Sequence, residues 1–381
     1  MSPFRAPLPQ PARFWLFLYL IDVWGGSSEE AIAVNPTNLK NVVIVTNVGG
    51  RAAGMFEGVS FDGGKSWATS IIGNNDNLKD ACCDPSLSFD QYGNLFMTDL
   101  FITENVIPVA LSVDGGRHFN IIATIMKPAS SSSNTSNEKG LFRFVDQPTI
   151  AAAADEAWVV FNAGGPIMAA GARVTGLGQV TIADFASTEQ VVPGTNNCTY
   201  GDLAIGPSGQ VLNVCTLTET GSGGGRLLVS LNPNGVGGAF ANSVFVADSH
   251  IGGFHFIPAQ IDRSIDAEPS LAWDRSGGGH NGRVYLVYTF NFTNQDNNTD
   301  IEERFSDDQG TTWSSPVRVN DDTTKNSQFN PAISLDQTSG NLAVTWYDCR
   351  NDLGLGGPGD TNNGSPNDDA QLWVRSVRTA G

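Results

Sequence analysis

The sequence predicts an all-β chain folded as a six-bladed β-propeller of four-stranded antiparallel blades. Three observations predict it. A short turn phrase recurs three times, a longer strand phrase recurs six times, and no stretch carries a convincing helical period. Self-similarity along the chain marks a repeat architecture. Glycine, at 43 of 381 residues, suits a fold with many tight turns.

The longer phrase reads polar-Pro-x-apolar-small-x-Asp/Asn. Its copies run from Glu29 to Asn35, Asp84 to Asp90, Gln147 to Ala153, Tyr200 to Gly206, Glu268 to Asp274 and Asn330 to Asp336. They start 53 to 68 residues apart, room for about four strands each. Each copy is expected to be the innermost strand A of a blade, where small residues suit a crowded hub. A glycine turn follows, as at Gly93 or Gly209. Strand B is the most apolar: Val42–Val45, Leu95–Met97, Trp158–Phe161, Val284–Tyr288 and Leu342–Trp346. Strand C ends in the turn phrase and strand D follows it.

The turn phrase is Ser-x-Asp-x-Gly-x-x-aromatic. It spans Ser60 to Trp67, Ser112 to Phe119 and Ser306 to Trp313, with a degraded copy from Ser230 to Gly235 completed by Phe240. Each lies between two strand-like runs, so each is a hairpin turn. The Asp accepts hydrogen bonds from turn amides, and the Gly supplies positive φ. The aromatic packs back over the turn. This phrase resembles the Asp-box, or BNR repeat, of the sialidase-like six-bladed propellers. The resemblance implies the fold; it does not settle activity, which lives in sites grafted on folds.

The sixth unit holds strands A and B and a strand at Leu372–Val377. A closed ring needs one strand more. The apolar run from Phe14 to Ile21 is expected to supply it, so residues 1–12 are an N-terminal extension and 13–381 a single propeller domain. The same run follows Arg5 and Arg13, as the apolar part of a signal segment does, although Asp22 ends it. It is too short to cross a bilayer as a helix. The stretches Ser130–Asn134 and Gly354–Asp369 read as exposed loops.

Acids outnumber bases 39 to 21, for a net charge of −18. That excludes a nucleic-acid-binding role, which needs a basic face. The five cysteines are Cys82, Cys83, Cys198, Cys215 and Cys349, without the CxxC spacing of a metal site. Cys198 and Cys215 flank a short hairpin and can bridge in an oxidising compartment. A secreted, cell-surface or periplasmic monomer is expected, with a glycan as its partner. Sequons at Asn134, Asn197, Asn291, Asn297 and Asn363 matter only on a eukaryotic secretory route.

Alternating strand directions put the aspartate turns on one rim. The residues before strand A and after strand B then gather at the other, where function is expected. The resemblance to sialidases implies three arginines for a substrate carboxylate, a Tyr–Glu nucleophile pair and an Asp acid/base. Bidentate pairing explains arginine rather than lysine. The matching residues are Arg143, Arg263, Arg350 and Arg51 for binding, Tyr347 or Tyr288 as nucleophile, Glu268 behind it, and Asp84 or Asp99 as acid/base. The family's Phe-Arg-Ile-Pro phrase has only the near match Phe4-Arg5-Ala6-Pro7. Against the hydrolase stands a carbohydrate- or protein-binding scaffold without turnover. Each arginine would then be an inter-blade ion pair and Tyr347 a core residue. His250 and His255 also precede strand A of the fifth unit and serve a lyase reading. No metal site or cofactor is assigned. Asn294–Asp300, Asp321–Asp322 and Asp360 with Asp368 and Asp369 offer oxygen ligands of the calcium kind.

Overall fold

A computed structural model describes residues 29–48, 53–125, 145–218, 224–253, 255–292, 298–352 and 370–377. The run at 13–21, the 1–12 extension and the loops at 130–134 and 354–369 lie outside these residues. The described chain forms a six-bladed β-propeller of antiparallel sheets, with strands in chain order within each blade.

Blade 1 comprises Ala31–Val34, Val42–Asn47, Met55–Ser60 and Ala68–Ile72. Blade 2 comprises Lys79–Phe89, Leu95–Phe101, Ile107–Ser112 and Asn120–Ile125, with Asn74–Asp76 paired to the start of its first strand. Blade 3 has Asp146–Ala153, Glu156–Asn162, Ile167–Gly176 and the short outer pieces Gln179–Val180 and Gln190–Val191. Blade 4 comprises Cys198–Ile205, Val211–Thr218, Gly225–Asn232 and Val244–Asp248. A hairpin, His255–Ile257 with Gln260–Ile265, leads into blade 5. Blade 5 has Ser270–Trp273, Val284–Asn291, Thr299–Ser306 and Val317–Arg318. Blade 6 has Gln328–Leu335, Leu342–Asp348 and Gln371–Val377.

Both faces of the middle strands are covered by neighbouring blades, which is why strand B reads as a continuous apolar run. The core is split accordingly into clusters between successive blades. Val43, Met55, Leu95 and Met97 pack between blades 1 and 2. Phe96, Ile107, Val159 and Phe161 pack between blades 2 and 3, and Trp158, Ile167, Leu203 and Val211 between blades 3 and 4. Trp273, Leu286, Tyr288 and Phe329 fill the next seam, and Tyr285, Ile301, Val344 and Trp346 the last. At Gly171 a side chain is impossible: a Cβ there would lie 2.2 Å from the Trp158 ring.

The aspartate turns form as their residues require. In blade 1, Ser60 Oγ donates to Asp62 at 2.9 Å and accepts from the Gly64 N–H at 2.8 Å, while Asp62 accepts from the Ser66 N–H. Trp67 Nε1 closes the turn on the Gly64 carbonyl at 3.1 Å. Ser306, Asp308, Gly310, Thr312 and Trp313 repeat each contact in blade 5. Register puts the start of strand B opposite the end of strand C, as in Val42 with Ser60 and Val284 with Ser306. The A–B and C–D turns therefore share one rim. Buried Asn41 and Asn94 latch successive blades there, donating to the Gly115 and Gly176 carbonyls at 2.9 and 3.0 Å.

One feature departs from the sequence expectation, which has no helix. Ala183–Thr188 is a six-residue α-helix in blade 3. It is shorter than two turns, so no helical period is legible. Tertiary contacts hold it: Phe185 is buried, Thr188 Oγ accepts from the Gly171 N–H at 2.8 Å, and Asp184 pairs with Arg173. In chain order it links the two short outer pieces, Gln179–Val180 and Gln190–Val191.

Candidate functional site

The opposite rim is built from an irregularity in the inner strands. The residue that opens the strand phrase has positive φ in five blades: Glu29 at 62°, Asp84 at 52°, Gln147 at 48°, Glu268 at 44° and Asn330 at 50°. Four of these precede Pro85, Pro148, Pro269 and Pro331. A left-handed conformation costs a non-glycine residue about 1–2 kcal/mol, and a following proline restricts it further. Strand register slips at this point in blades 2, 3, 4 and 6. Bulges of this kind re-aim side chains, and they recur next to functional sites. The sequence shows the recurring polar residue but not its backbone state.

The side chains of this ring stitch the hub. Glu29 Oε2 accepts from the Asp84 N–H at 3.1 Å and from the Asn47 amide. Asp84 Oδ2 accepts from the Gln147 N–H at 3.1 Å. Deeper in the hub, Ser86 and Ser88 accept from the Ile150 and Ala152 N–H groups at 3.1 and 2.9 Å. Asp202 accepts from the Leu271 N–H at 2.7 Å, joining blades 4 and 5.

Asp84 carries strongly perturbed chemistry at this mouth. Burial raises its pKa first; its hydrogen bond to the Glu29 carboxylate and the charges of Glu29 and Asp146 add to the shift. Its carboxyl stays protonated well above the ordinary carboxylate range. A buried carboxyl beside other carboxyls keeps its proton to higher pH, because both its desolvation and their charges disfavour its ionised form. Burial also pushes Asp202 up to about 6, partly offset by its backbone hydrogen bonds.

The other residues singled out from sequence fall in different surroundings. Asp99 stands opposite the Asp84–Pro85 bulge in strand register but is 1% exposed. Burial and then the charge of Asp76 raise its pKa, and its Oδ1 has no hydrogen-bond partner. Glu268 holds the left-handed position of blade 5. Tyr347 lies next to the end of strand B of blade 6, half-buried and stacked on Phe329 at 5.6 Å. Burial raises its pKa, as does the charge of Glu30 from blade 1, so blades 6 and 1 meet at the mouth. Tyr288 is buried, donating to Glu302 at 2.6 Å and accepting from Arg304 Nε at 2.9 Å. Burial is the main cause that raises its pKa.

Arg350 is committed to acids of blade 6 and of the loop before it. Its guanidinium pairs with Asp348 at 2.7 Å and Asp321 at 2.5 Å, and stacks on Trp373 at 3.9 Å. These partners hold it protonated far above the usual range despite burial. Arg51 and Arg143 lie outside the described residues. Arg263 belongs to the Gln260–Ile265 strand, and its side chain is also outside them. His250 lies 3.5 Å from Asp248, and burial lowers the pKa of His255.

Among the described residues no three His, Cys, Asp or Glu side chains converge as a metal site. Asp322 faces Arg318, and the loops at 293–297 and 353–369 lie outside the description. Two disulfides form, Cys82–Cys83 and Cys198–Cys215. Sequence spacing suggests the second; the first joins adjacent residues beside Asp84. No helix among the described residues is long and apolar enough to cross a membrane. A cleft of about 440 Å³, lined by Trp273, His280, Arg283 and Asp307, opens on the rim of the aspartate turns, away from this mouth.

No protein-family model matches the sequence, and no curated protein matches it. Solved structures share its fold, the six-bladed β-propeller. The α-L-arabinofuranosidase of Fusarium graminearum, in complex with an iminosugar inhibitor, aligns with TM-score 0.54 and 13% identity over 92% of this chain and 93% of that one. The α-L-arabinanase of Penicillium chrysogenum, complexed with arabinobiose, aligns with TM-score 0.53 and 13% identity over the same shares. A Hadza microbial sialidase aligns with TM-score 0.51 and 12% identity over 85% of this chain and 64% of that one.

Proposed function

We propose that this propeller is an extracytoplasmic glycoside hydrolase working at the hub mouth, with Asp84 as its general acid and Glu29 as the carboxylate that keeps Asp84 protonated. The observation that carries this reading is the seat of Asp84 on a left-handed bulge at the hub mouth, its N–H held by Glu29 Oε2 at 3.1 Å, where burial and then Glu29 raise its pKa. Glycoside cleavage needs an acid still protonated near neutral pH to protonate the departing oxygen. Glu268 and Gln147, on equivalent bulges, belong to the same ring and are proposed to touch the substrate. The propeller hydrolases and inhibitor complexes among its structural neighbours support a sugar ligand. Two disulfides support an oxidising compartment.

The commitment of Arg350 to Asp348 and Asp321 favours a neutral sugar over a sialoside, because a guanidinium already paired twice offers little to a substrate carboxylate. One observation supports the sialidase-type alternative. Tyr347 is half-buried at the mouth, and after burial the charge of Glu30 raises its pKa, so a carboxylate of blade 1 stands near a tyrosine there. In that reading Arg51, Arg143 and Arg263 hold the carboxylate. A binding propeller without turnover is the remaining alternative.

The experiment is turnover of aryl α-L-arabinofuranoside, arabinan oligomers and an aryl sialoside by wild type, Asp84→Asn and Tyr347→Phe. Turnover of a neutral furanoside, abolished by Asp84→Asn and kept by Tyr347→Phe, is the expected result. Sialoside turnover abolished by Tyr347→Phe transfers the assignment to the alternative. Absence of turnover on all three, with saturable sugar binding, assigns a binding module.

A further inference from the structure

Cys82 and Cys83 are neighbours in sequence and are bonded to each other. The other disulfide, Cys198–Cys215, spans 17 residues. The adjacent pair sits at the most irregular point of the inner strand of blade 2. Register slips there twice, between Ala81 and Cys83 and between Cys83 and Ser86. Inner strands of blades 3, 4 and 6 slip once. Asp84 follows immediately, left-handed and before Pro85.

A bond between adjacent half-cystines closes a small ring through their shared peptide. That ring removes backbone freedom from the two residues leading into Asp84. A strained pre-proline residue keeps its conformation only where its surroundings over-determine it. Glu29 grips the Asp84 N–H from blade 1, and Asp84 itself grips Gln147 of blade 3. Before Asp84, Ala81 is anchored by backbone bonds to Gly54 and Gly73, both at 2.8 Å, and Cys83 pairs with Leu100 between the two slips; across those slips the disulfide ring supplies the covalent constraint.

We infer that the Cys82–Cys83 disulfide is a positioning device for Asp84, and that a dithiol which opens it releases the Asp84 carboxyl from its seat against Glu29. Opening consumes two electrons and two protons from the dithiol, which closes to its own disulfide, and leaves thiols at Cys82 and Cys83. Both are partly exposed, whereas Cys198 and Cys215 are 2% and 0% exposed, so the rim bond is the one a dithiol reaches first. The charged groups facing Asp84 are Glu29 from blade 1 and Asp146 from blade 3. The consequence for turnover rests on the hydrolase reading; the positioning does not.

The test follows the Asp84 carboxyl carbon by NMR in the full chain, with Asp84→Asn to assign it. It compares the oxidised protein, the protein treated with dithiothreitol, and Cys82→Ser/Cys83→Ser. Opening is expected to lower the Asp84 titration midpoint by about two pH units or more as the carboxyl regains solvent. The Gln147 amide signal shifts with it. Where a glycoside is turned over, the pH limb of kcat that reports Asp84 moves by the same amount while KM changes less than about threefold. An unmoved midpoint in both opened forms overturns the inference, as does oxidised protein whose mass shows thiols at Cys82 and Cys83. If the serine variant does not fold, the dithiol-treated wild type decides, with peptide mapping to show Cys198–Cys215 intact. A shifted midpoint without turnover of any glycoside overturns the hydrolase and leaves the positioning device standing.

Discussion

Asp202 offers a prediction whose size can be worked out. It sits at the hub between blades 4 and 5, accepting from the Leu271 N–H and its neighbour Leu203 N–H, both at 2.7 Å. Burial pushes its pKa to about 6, against 3.8 for the ordinary side chain. The folded state therefore holds the Asp202 proton more tightly than the unfolded chain does. Below about pH 3.8 both states are protonated and the contribution is fully present. As pH climbs toward 6 the unfolded chain ionises first, and stability falls. Above 6 both states are ionised and the loss is complete. Roughly two pKa units at about 1.4 kcal/mol each make a loss of about 3 kcal/mol, most of it between pH 4 and pH 8. The perturbation is Asp202→Asn, which cannot ionise. Its lost contacts cost the same at every pH, so they cancel when the stability gap to wild type is compared across pH. The assay is urea unfolding of both proteins at pH 4 and pH 8. The variant should gain about 2–3 kcal/mol on wild type between the two. Parallel stabilities, within about 0.5 kcal/mol, would refute an acid held protonated at the hub.

Further outcomes follow from other contacts. Ser306→Ala should cost about 1–3 kcal/mol by thermal or urea unfolding, because the buried Gly310 N–H loses its acceptor. Trp158→Ala should cost about 3–5 kcal/mol, since the ring is fully buried between blades 3 and 4. Arg350→Met should destabilise by about 3–5 kcal/mol by leaving the buried Asp348 carboxylate without its cation. With a neutral glycoside its KM should stay within about twofold of wild type; a rise of tenfold or more would place Arg350 on the substrate.

The wheel was legible because its signals are local. Each aspartate turn carries its own chemistry within eight residues, and each strand phrase repeats once per blade. The ring of polar residues before strand A was legible as a position. Its left-handed backbone was not, since nothing in an X-Pro pair announces that X leaves the extended region; the Asp84–Pro85 and Glu268–Pro269 pairs read as ordinary strand openings. Of the partners of Arg350, Asp348 is a near neighbour in sequence, but Asp321 and Asp322 lie in a distant loop whose path only the fold determines. Glu29 and Asp84 are a full blade apart, so their contact is a property of the assembled hub. The Cys82–Cys83 bond is not legible for a different reason: adjacency argues for neither pairing nor its absence.

The most direct test is a crystal structure with the sugar that the turnover panel identifies, or with arabinobiose if none is turned over. A sugar at the hub mouth, its glycosidic oxygen within hydrogen-bonding distance of the Asp84 carboxyl, is the predicted result. An ordered sugar held only on the rim of the aspartate turns, with the mouth closed to it, would contradict the account.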